Sequence, residues 1–262
     1  MSPAFPPKRV VILAGGLGTR LSEETAVRPK PMVEIGGRPI LWHIMSVYAH
    51  FGLTDFIVCA GYKGHAIKEY FERYHLYTSD VTYDLRANLR TIHRAAAEPW
   101  RITVVDTGIG TGTGGRLRYV REYLDGGDFC LTYGDGVADV DISRLIQCHY
   151  AAGRLATVTA VRPPARFGAI DAEGDLVKRF EEKPRASAGW INGGFFVLSN
   201  AVLDYVRDES TSFELDTLAQ LARDAQLTAY YHDGFWQPMD TLRDIRQLEE
   251  MWSAGRAPWK VW

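Results

Sequence analysis

The residues with chemical potential gather first in Leu13-Ala14-Gly15-Gly16-Leu17-Gly18-Thr19-Arg20 and in the continuation Arg28-Pro29-Lys30-Pro31. Glycines let backbone N–H groups come close to a ligand, and Arg20 and Lys30 add cations beside them. That combination suits a polyphosphate. Lys30 stands between two prolines, which fix φ and hold each preceding residue extended, so its side chain is aimed. A P-loop is excluded, because Gly18-Thr19-Arg20 lacks the closing Gly-Lys-Ser/Thr. A dinucleotide fingerprint is excluded as well, because Leu21 takes the place of its third glycine.

Phosphoryl transfer at such a site calls for Mg²⁺, which takes one or two carboxylates together with phosphate oxygens and waters. Asp135 lies between Gly134 and Gly136, just after the apolar run Phe129-Cys130-Leu131-Thr132-Tyr133. From its surroundings it is equally a turn aspartate or a metal ligand. Asp139 and Asp141 stand where they would cap the next helix. Asp240, in Pro238-Met239-Asp240-Thr241, stands where it would cap the last one. Glu181-Glu182-Lys183-Pro184 closes a strand with a lysine before a proline, either a charged strand end or an anion anchor. Asn192-Gly193-Gly194 offers an amide and bare backbone to sugar hydroxyls, or it marks a bulge.

These residues need a frame that brings them together. Apolar strand-like runs at Val10-Val11-Ile12-Leu13, Phe56 to Ala60, Ile102 to Val105, Phe129 to Tyr133 and Ala156 to Val161 alternate with helical periods. The helical stretches are Pro39 to Phe51, His65 to Tyr74, Gly114 to Leu124 and Ile142 to Ala152. The alternation predicts an α/β fold, a single domain with a mostly parallel, Rossmann-like mixed sheet flanked by helices. Ligands gather at the carboxyl ends of such strands, where Gly15 to Arg20 and Gly134-Asp135 both fall.

After Arg162 the pattern changes. Phe167 to Asp171 and Leu176 to Phe180 flank Ala172-Glu173-Gly174-Asp175, which predicts a smaller β-hairpin. A strand from Trp190 to Leu198, helices at Asn200 to Val206 and Phe213 to Ala225, a strand from Leu227 to Tyr231 and a last helix from Thr241 to Trp252 follow. The expected organisation is a loose arm at 1–7 and one domain at 8–262. Within it, 8–160 would bind nucleotide, 161–240 would bind sugar phosphate, and 241–262 would be a helix and tail. The stretch from Phe71 to Pro99 has weak periodicity and is expected to be an insertion with a short strand pair, as surface loop, lid or subunit contact. The aromatic tail Pro258-Trp259-Lys260-Val261-Trp262 is expected to dock on the chain's own surface.

With 262 residues the chain can bury a sizeable core. The formal charge of −2 argues against a nucleic-acid-binding surface. Cys59, Cys130 and Cys148 lack metal-ligand spacing, and the first two fall in strand runs as small core residues. No apolar run reaches membrane-spanning length, so a cytoplasmic protein with no membrane partner is expected.

Leu-Ala-Gly-Gly-x-Gly-Thr-Arg-Leu followed by Pro-Lys-Pro-Met resembles the sugar-1-phosphate nucleotidyltransferases. Pro29 to Gly37 and Gly234 to Leu242 are similar to the cytidylyl-transferring branch. The resemblance runs from about Lys8 to Trp262. It implies transfer from CTP to glucose 1-phosphate with Mg²⁺, giving CDP-glucose for deoxysugar synthesis, by a homo-oligomer. It implies catalytic roles for Arg20, Lys30, Asp135 and Lys183, and a metal held by Asp135 and Asp240. The implied nucleotide contacts are Leu13, Ala14, Gly15, Gly16, Gly18, Thr19, Arg20 and Lys30, then Thr113, Gly114, Gly115, Arg116, Tyr133, Gly134 and Asp135. Those for the sugar phosphate are Gly168, Glu182, Lys183, Asn192 and Gly193. Arg116 offers donors only. Either it meets O2 and N3 of cytosine or it is a solvated residue in the first turn of a helix.

Three alternatives remain at the level of sequence: the same chemistry on another base or sugar, a glycosyltransferase using Asp139-Val140-Asp141 as its metal motif, and a non-catalytic nucleotide sensor. A sensor would have lost Arg20, Lys30 or Asp135, and all three are present.

Overall fold

The computed structural model describes residues 7–21, 25, 27–93, 96–163, 169–173, 176–181 and 189–262. Seven strands form the central sheet: β1 (Arg9–Ala14), β2 (Asp55–Ala60), β3 (Arg101–Asp106), β4 (Phe129–Tyr133), β5 (Ala156–Val161), β6 (Ile191–Leu198) and β7 (Leu227–His232). Their order across the sheet is β7-β5-β6-β4-β1-β2-β3. All pairings are parallel except those of β6, which runs antiparallel to β4 and β5. The α/β expectation of a mostly parallel mixed sheet is therefore met.

Both faces of the sheet are covered, which is why the inner strands β1, β2 and β4 are apolar runs instead of alternating. Val10, Ile12, Phe56, Val58 and Cys130 belong to a core shared with helix α1 (Ile40–His50). Val11, Leu13, Ile57, Cys59 and Leu131 point the other way, into a core shared with α2 (Gly115–Val120) and Phe213. Burial pushes the thiols of Cys59 and Cys130 up to about 12, so both are inert core groups.

Register sets the active edge. Ala14 lies opposite Ala60, Ala60 opposite Asp106, and Leu13 opposite Tyr133. Four strands thus end level with one another. The chain leaving each one, at Gly15, Gly61, Thr107 and Gly134, starts from a common line.

The predicted hairpin is present as Ala169–Glu173 paired with Leu176–Glu181. The insertion holds a second hairpin, Val81–Asp84 with Leu89–Ile92. One pairing has no signal in the sequence. Gly136–Ala138 runs antiparallel to Trp236–Pro238, with Gly136 opposite Pro238. It is too short for a hydrophobic period to reveal it.

The aromatic tail docks on the chain's own body, as expected. Trp259 is 1% exposed and stacks between Phe235 and Trp252. Its indole N–H donates to His43 Nδ1 at 3.3 Å, while His43 Nε2 donates to the Ile35 carbonyl at 2.8 Å. His43 is fully buried, and burial lowers it to about 4. Between pH 6.5 and 4 the unfolded chain therefore binds a proton that the folded chain refuses, so stability falls as pH drops through that window. The expected loss is about 3 kcal/mol. Denaturation midpoints measured from pH 7 to 4 should show this slope, and His43→Gln should make it shallower. An identical slope in the variant would rule the histidine out as its source.

Candidate active site

A cleft of about 690 Å³ lies along the shared edge. That size is ordinary for a small-molecule site. Its wall at the end of β1 is made by Leu13, Ala14, Gly15, Gly16, Gly18 and Thr19. Lys30, Asp135 and Asp240 line it too, with Trp236 and Pro238.

Lys30 follows Pro29, whose extended backbone leads into a single tight turn from Lys30 to Met32. Its Nζ donates to Asp135 Oδ2 at 2.6 Å and to Asp240 Oδ1 at 2.7 Å. Burial alone would disfavour this ammonium. The two carboxylates together outweigh that cost and raise Lys30 above an ordinary lysine.

The short pairing of Gly136–Ala138 with Trp236–Pro238 explains how residues so distant in sequence meet. Asp135 and Asp240 flank adjoining ends of that pair, and Met239 N–H donates to the Asp135 carbonyl at 2.8 Å. Asp240 does not cap the last helix, α4 (Leu242–Ser253). Thr241 is the cap, in a reciprocal capping box with Asp244. Asp141 caps α3 (Ile142–Ala152), as expected. Asp139 accepts from Phe235 N–H at 2.7 Å and pairs with His232 at 2.9 Å. Both members of Asp139-Val140-Asp141 thus have structural partners.

Two carboxylates converging on one cation are a fitting seat for a divalent ion. Lys30 lies between them in this structure, and the remaining positions of such an ion would suit phosphate oxygens and water.

The glycine segment after β3 divides into two parts. Thr111 and Thr113 line the cleft. Gly114 and Gly115 instead pack under the chain at 209–211, where their N–H groups donate to the Thr211 carbonyl. A Cβ on Gly115 would lie 2.1 Å from the Glu209 carbonyl oxygen. Close backbone packing requires both glycines.

Arg116 lines the cleft and is not a solvated residue of the helix. It is 4% exposed. Its Nη1 donates to Thr107 Oγ1 at 2.5 Å and to the Gly108 carbonyl at 2.9 Å, and its Nη2 donates to the Gly15 carbonyl at 3.0 Å. Burial lowers its pKa, with Cys59 and Asp106 opposing the effect. A Cβ on Gly15 would lie 2.0 Å from Nη1, so this glycine makes room for the guanidinium. Arg116 ties together the backbone leaving β1 and β3.

Asn192 also lines the cleft. Its Nδ2 donates to the Tyr133 hydroxyl at 3.2 Å, and its Oδ1 accepts from Gly194 N–H at 2.8 Å. Gly193 offers its carbonyl to Trp236 Nε1 at 2.7 Å, behind the lining. Tyr133, Gly134 and Thr113 are lining residues. Arg20 lies in the turn Thr19–Leu21, and its side chain is outside the described residues, as are Gly168, Glu182 and Lys183.

One lining carboxylate escaped sequence reasoning. Glu214 opens a stretch of π-helix, Phe213–Leu218, where the sequence predicts an ordinary helix. No motif marks it.

Residues 9–254 match the family model described as "Nucleotidyl transferase". A glucose-1-phosphate cytidylyltransferase of Salmonella typhi is 55% identical over 97% of this chain and 99% of its own length. A probable glucose-1-phosphate cytidylyltransferase of Bacillus subtilis is 44% identical over 97% of this chain and 100% of its own length. Among solved structures, HddC from Yersinia pseudotuberculosis shares the fold, with a TM-score of 0.67 at 24% identity over 94% of this chain and 99% of its own. The strand-end cleft with its two convergent carboxylates and a lysine sits within that matched span, and the chain belongs to the nucleotidyl transferase family.

Proposed function

We propose that this protein transfers the cytidylyl group of CTP to α-D-glucose 1-phosphate, giving CDP-glucose and pyrophosphate. The observation that carries the reading is the 55% identity, over 97% of the chain, to a glucose-1-phosphate cytidylyltransferase. Lys30, Asp135 and Asp240 meeting at the cleft supply the chemistry it needs.

A phosphate oxygen of the sugar substrate attacks the α-phosphorus of CTP as the bond to pyrophosphate breaks on the opposite side. Positioning and charge neutralisation do most of the work in such a transfer. The attacking phosphate is already ionised at neutral pH and needs no general base. Backbone N–H groups from Gly15 to Thr19 cradle the phosphates, with Arg20 on the β- and γ-groups. Lys30 leaves its carboxylates for the α-phosphate. Lys183 anchors the attacking phosphate and offsets its repulsion from the nucleotide. Mg²⁺ held by Asp135 and Asp240 would neutralise charge developing on the phosphates. Asn192 and Glu182 hold sugar hydroxyls. The protein acts in the cytoplasm as a homo-oligomer, for which apolar side chains exposed on the 81–92 hairpin, Leu85 at 91%, supply contact surface.

The test is pyrophosphate release. It should require CTP and glucose 1-phosphate together, and release from CTP alone would overturn the reading. Labelled pyrophosphate entering CTP without sugar phosphate would contradict direct transfer. Lys183→Ala should raise the KM for glucose 1-phosphate far more than that for CTP, because it removes a point charge from one substrate only. Measuring both constants decides it, and a larger effect on CTP would place the lysine on the wrong phosphate.

A further inference from the structure

Glu214 is a third carboxylate in a cleft proposed to hold a triphosphate. Asp135 and Asp240 face Lys30, but the hydrogen-bond partners of Glu214 among the described residues are three hydroxyls. Tyr133 donates to Oε1 at 2.6 Å. Thr113 donates to Oε2 at 2.6 Å and Ser212 donates to it at 3.0 Å. A carboxylate has about four acceptor positions. Three are filled from the protein, which leaves one on Oε1, the oxygen with a single partner.

The donors fix where this group points. Thr113 Oγ1 accepts from Phe213 N–H at 2.8 Å, so its hydrogen is directed to Glu214. The Tyr133 hydroxyl accepts from Asn192, so its hydrogen is directed there too. Burial and then the nearby Glu214 charge hold Tyr133 far above an ordinary tyrosine, so it stays a phenol and a donor. Such a network is rigid, and its one open position is an acceptor.

A fixed negative charge repels phosphates, so this wall does not serve the phosphate end of either substrate. It suits an N–H or O–H donor on the uncharged part of one of them. Arg116 carries donors only, so it is not the group that accepts from a substrate.

We propose that Glu214 is a specificity-determining residue that accepts a hydrogen bond from the uncharged part of a bound substrate. This rests on the transfer reaction proposed above. Two sources share that chemistry: the amino group of cytosine, and a hydroxyl of the ribose or of the glucose ring. Uracil carries an acceptor where cytosine carries its amino group, and a carboxylate would reject it.

The experiment compares wild type with Glu214→Gln, which keeps the shape and presents an amide. Ratios of kcat/KM are measured for CTP against UTP, CTP against dCTP, and glucose 1-phosphate against its ring-deoxy analogues. One ratio should fall by about 10-fold or more, since a site built for a hydrogen bond discriminates through it. That ratio identifies the donor. Tyr133→Phe, which leaves the carboxylate but frees Oε1, should lower the same ratio less. If all three ratios match wild type within a factor of about two in both variants, Glu214 only braces the glycine segment and the proposal fails. Wild-type turnover of CTP with glucose 1-phosphate is scored separately, so failure of the underlying reaction is distinguishable from failure of this role.

Discussion

Asp135→Asn and Asp240→Asn are each expected to lower kcat by about 100-fold or more, the scale for losing one strong electrostatic contact in a transition state. Each change keeps the shape and removes the charge. Both residues donate their backbone or side chain to local structure in ways asparagine can copy. The Asp135 carbonyl still accepts from Met239, and the Asp240 N–H still donates to Asp244. Lys30 retains one carboxylate in either variant. The folded state should therefore survive, and a circular-dichroism melt alongside the kinetics separates lost chemistry from lost fold. Near-normal turnover in Asp240→Asn would mean that its meeting with Lys30 is only structural.

Arg116→Ala is expected to cripple the enzyme for every nucleotide alike. The substitution removes the guanidinium donors to the Gly15 and Gly108 carbonyls and to Thr107 Oγ1, leaving the Gly15 carbonyl only the Tyr62 N–H at 3.3 Å. A buried acceptor left without a donor costs about 1–3 kcal/mol, and the missing guanidinium leaves a void as well. Because Gly15 and Gly108 belong to different loops, the loss falls on their mutual spacing at the sheet edge, where Gly15 lines the cleft. The expected result is a lower melting temperature and a KM raised at least 10-fold for CTP and for UTP in parallel. Arg116→Lys should recover little, since one ammonium does not reproduce the planar fork. A fall in the CTP-to-UTP ratio of kcat/KM, with stability intact, would instead make Arg116 a direct reader of the base.

The fold was legible where one rule dominated. Buried parallel strands are apolar runs, and β4, α3 and β5 lie where the sequence places them. Lys30 was legible because two prolines frame it. The pairing of Asp135 with Asp240 was not legible from the residues themselves, because the strands that join them are three residues each. Family resemblance carried that assignment. The burial of Arg116 was not legible for a different reason. A charged residue in a first helical turn is ordinarily solvated, and only the level ends of β1, β2 and β3 reveal the nest of carbonyls that receives it. Glu214 was missed because its neighbours come from three separate elements. A carboxylate at the start of a helix needs no further explanation in sequence.

The seat of Lys30 has a consequence for the resting enzyme. Two neighbouring carboxylates with nothing between them would repel and turn apart. The lysine prevents that. It holds the pair facing each other across one ammonium. It also makes the empty cleft a poor trap for stray phosphate, since its own cation is already engaged. Any anion drawn to this lysine must therefore compete with two carboxylates already in place.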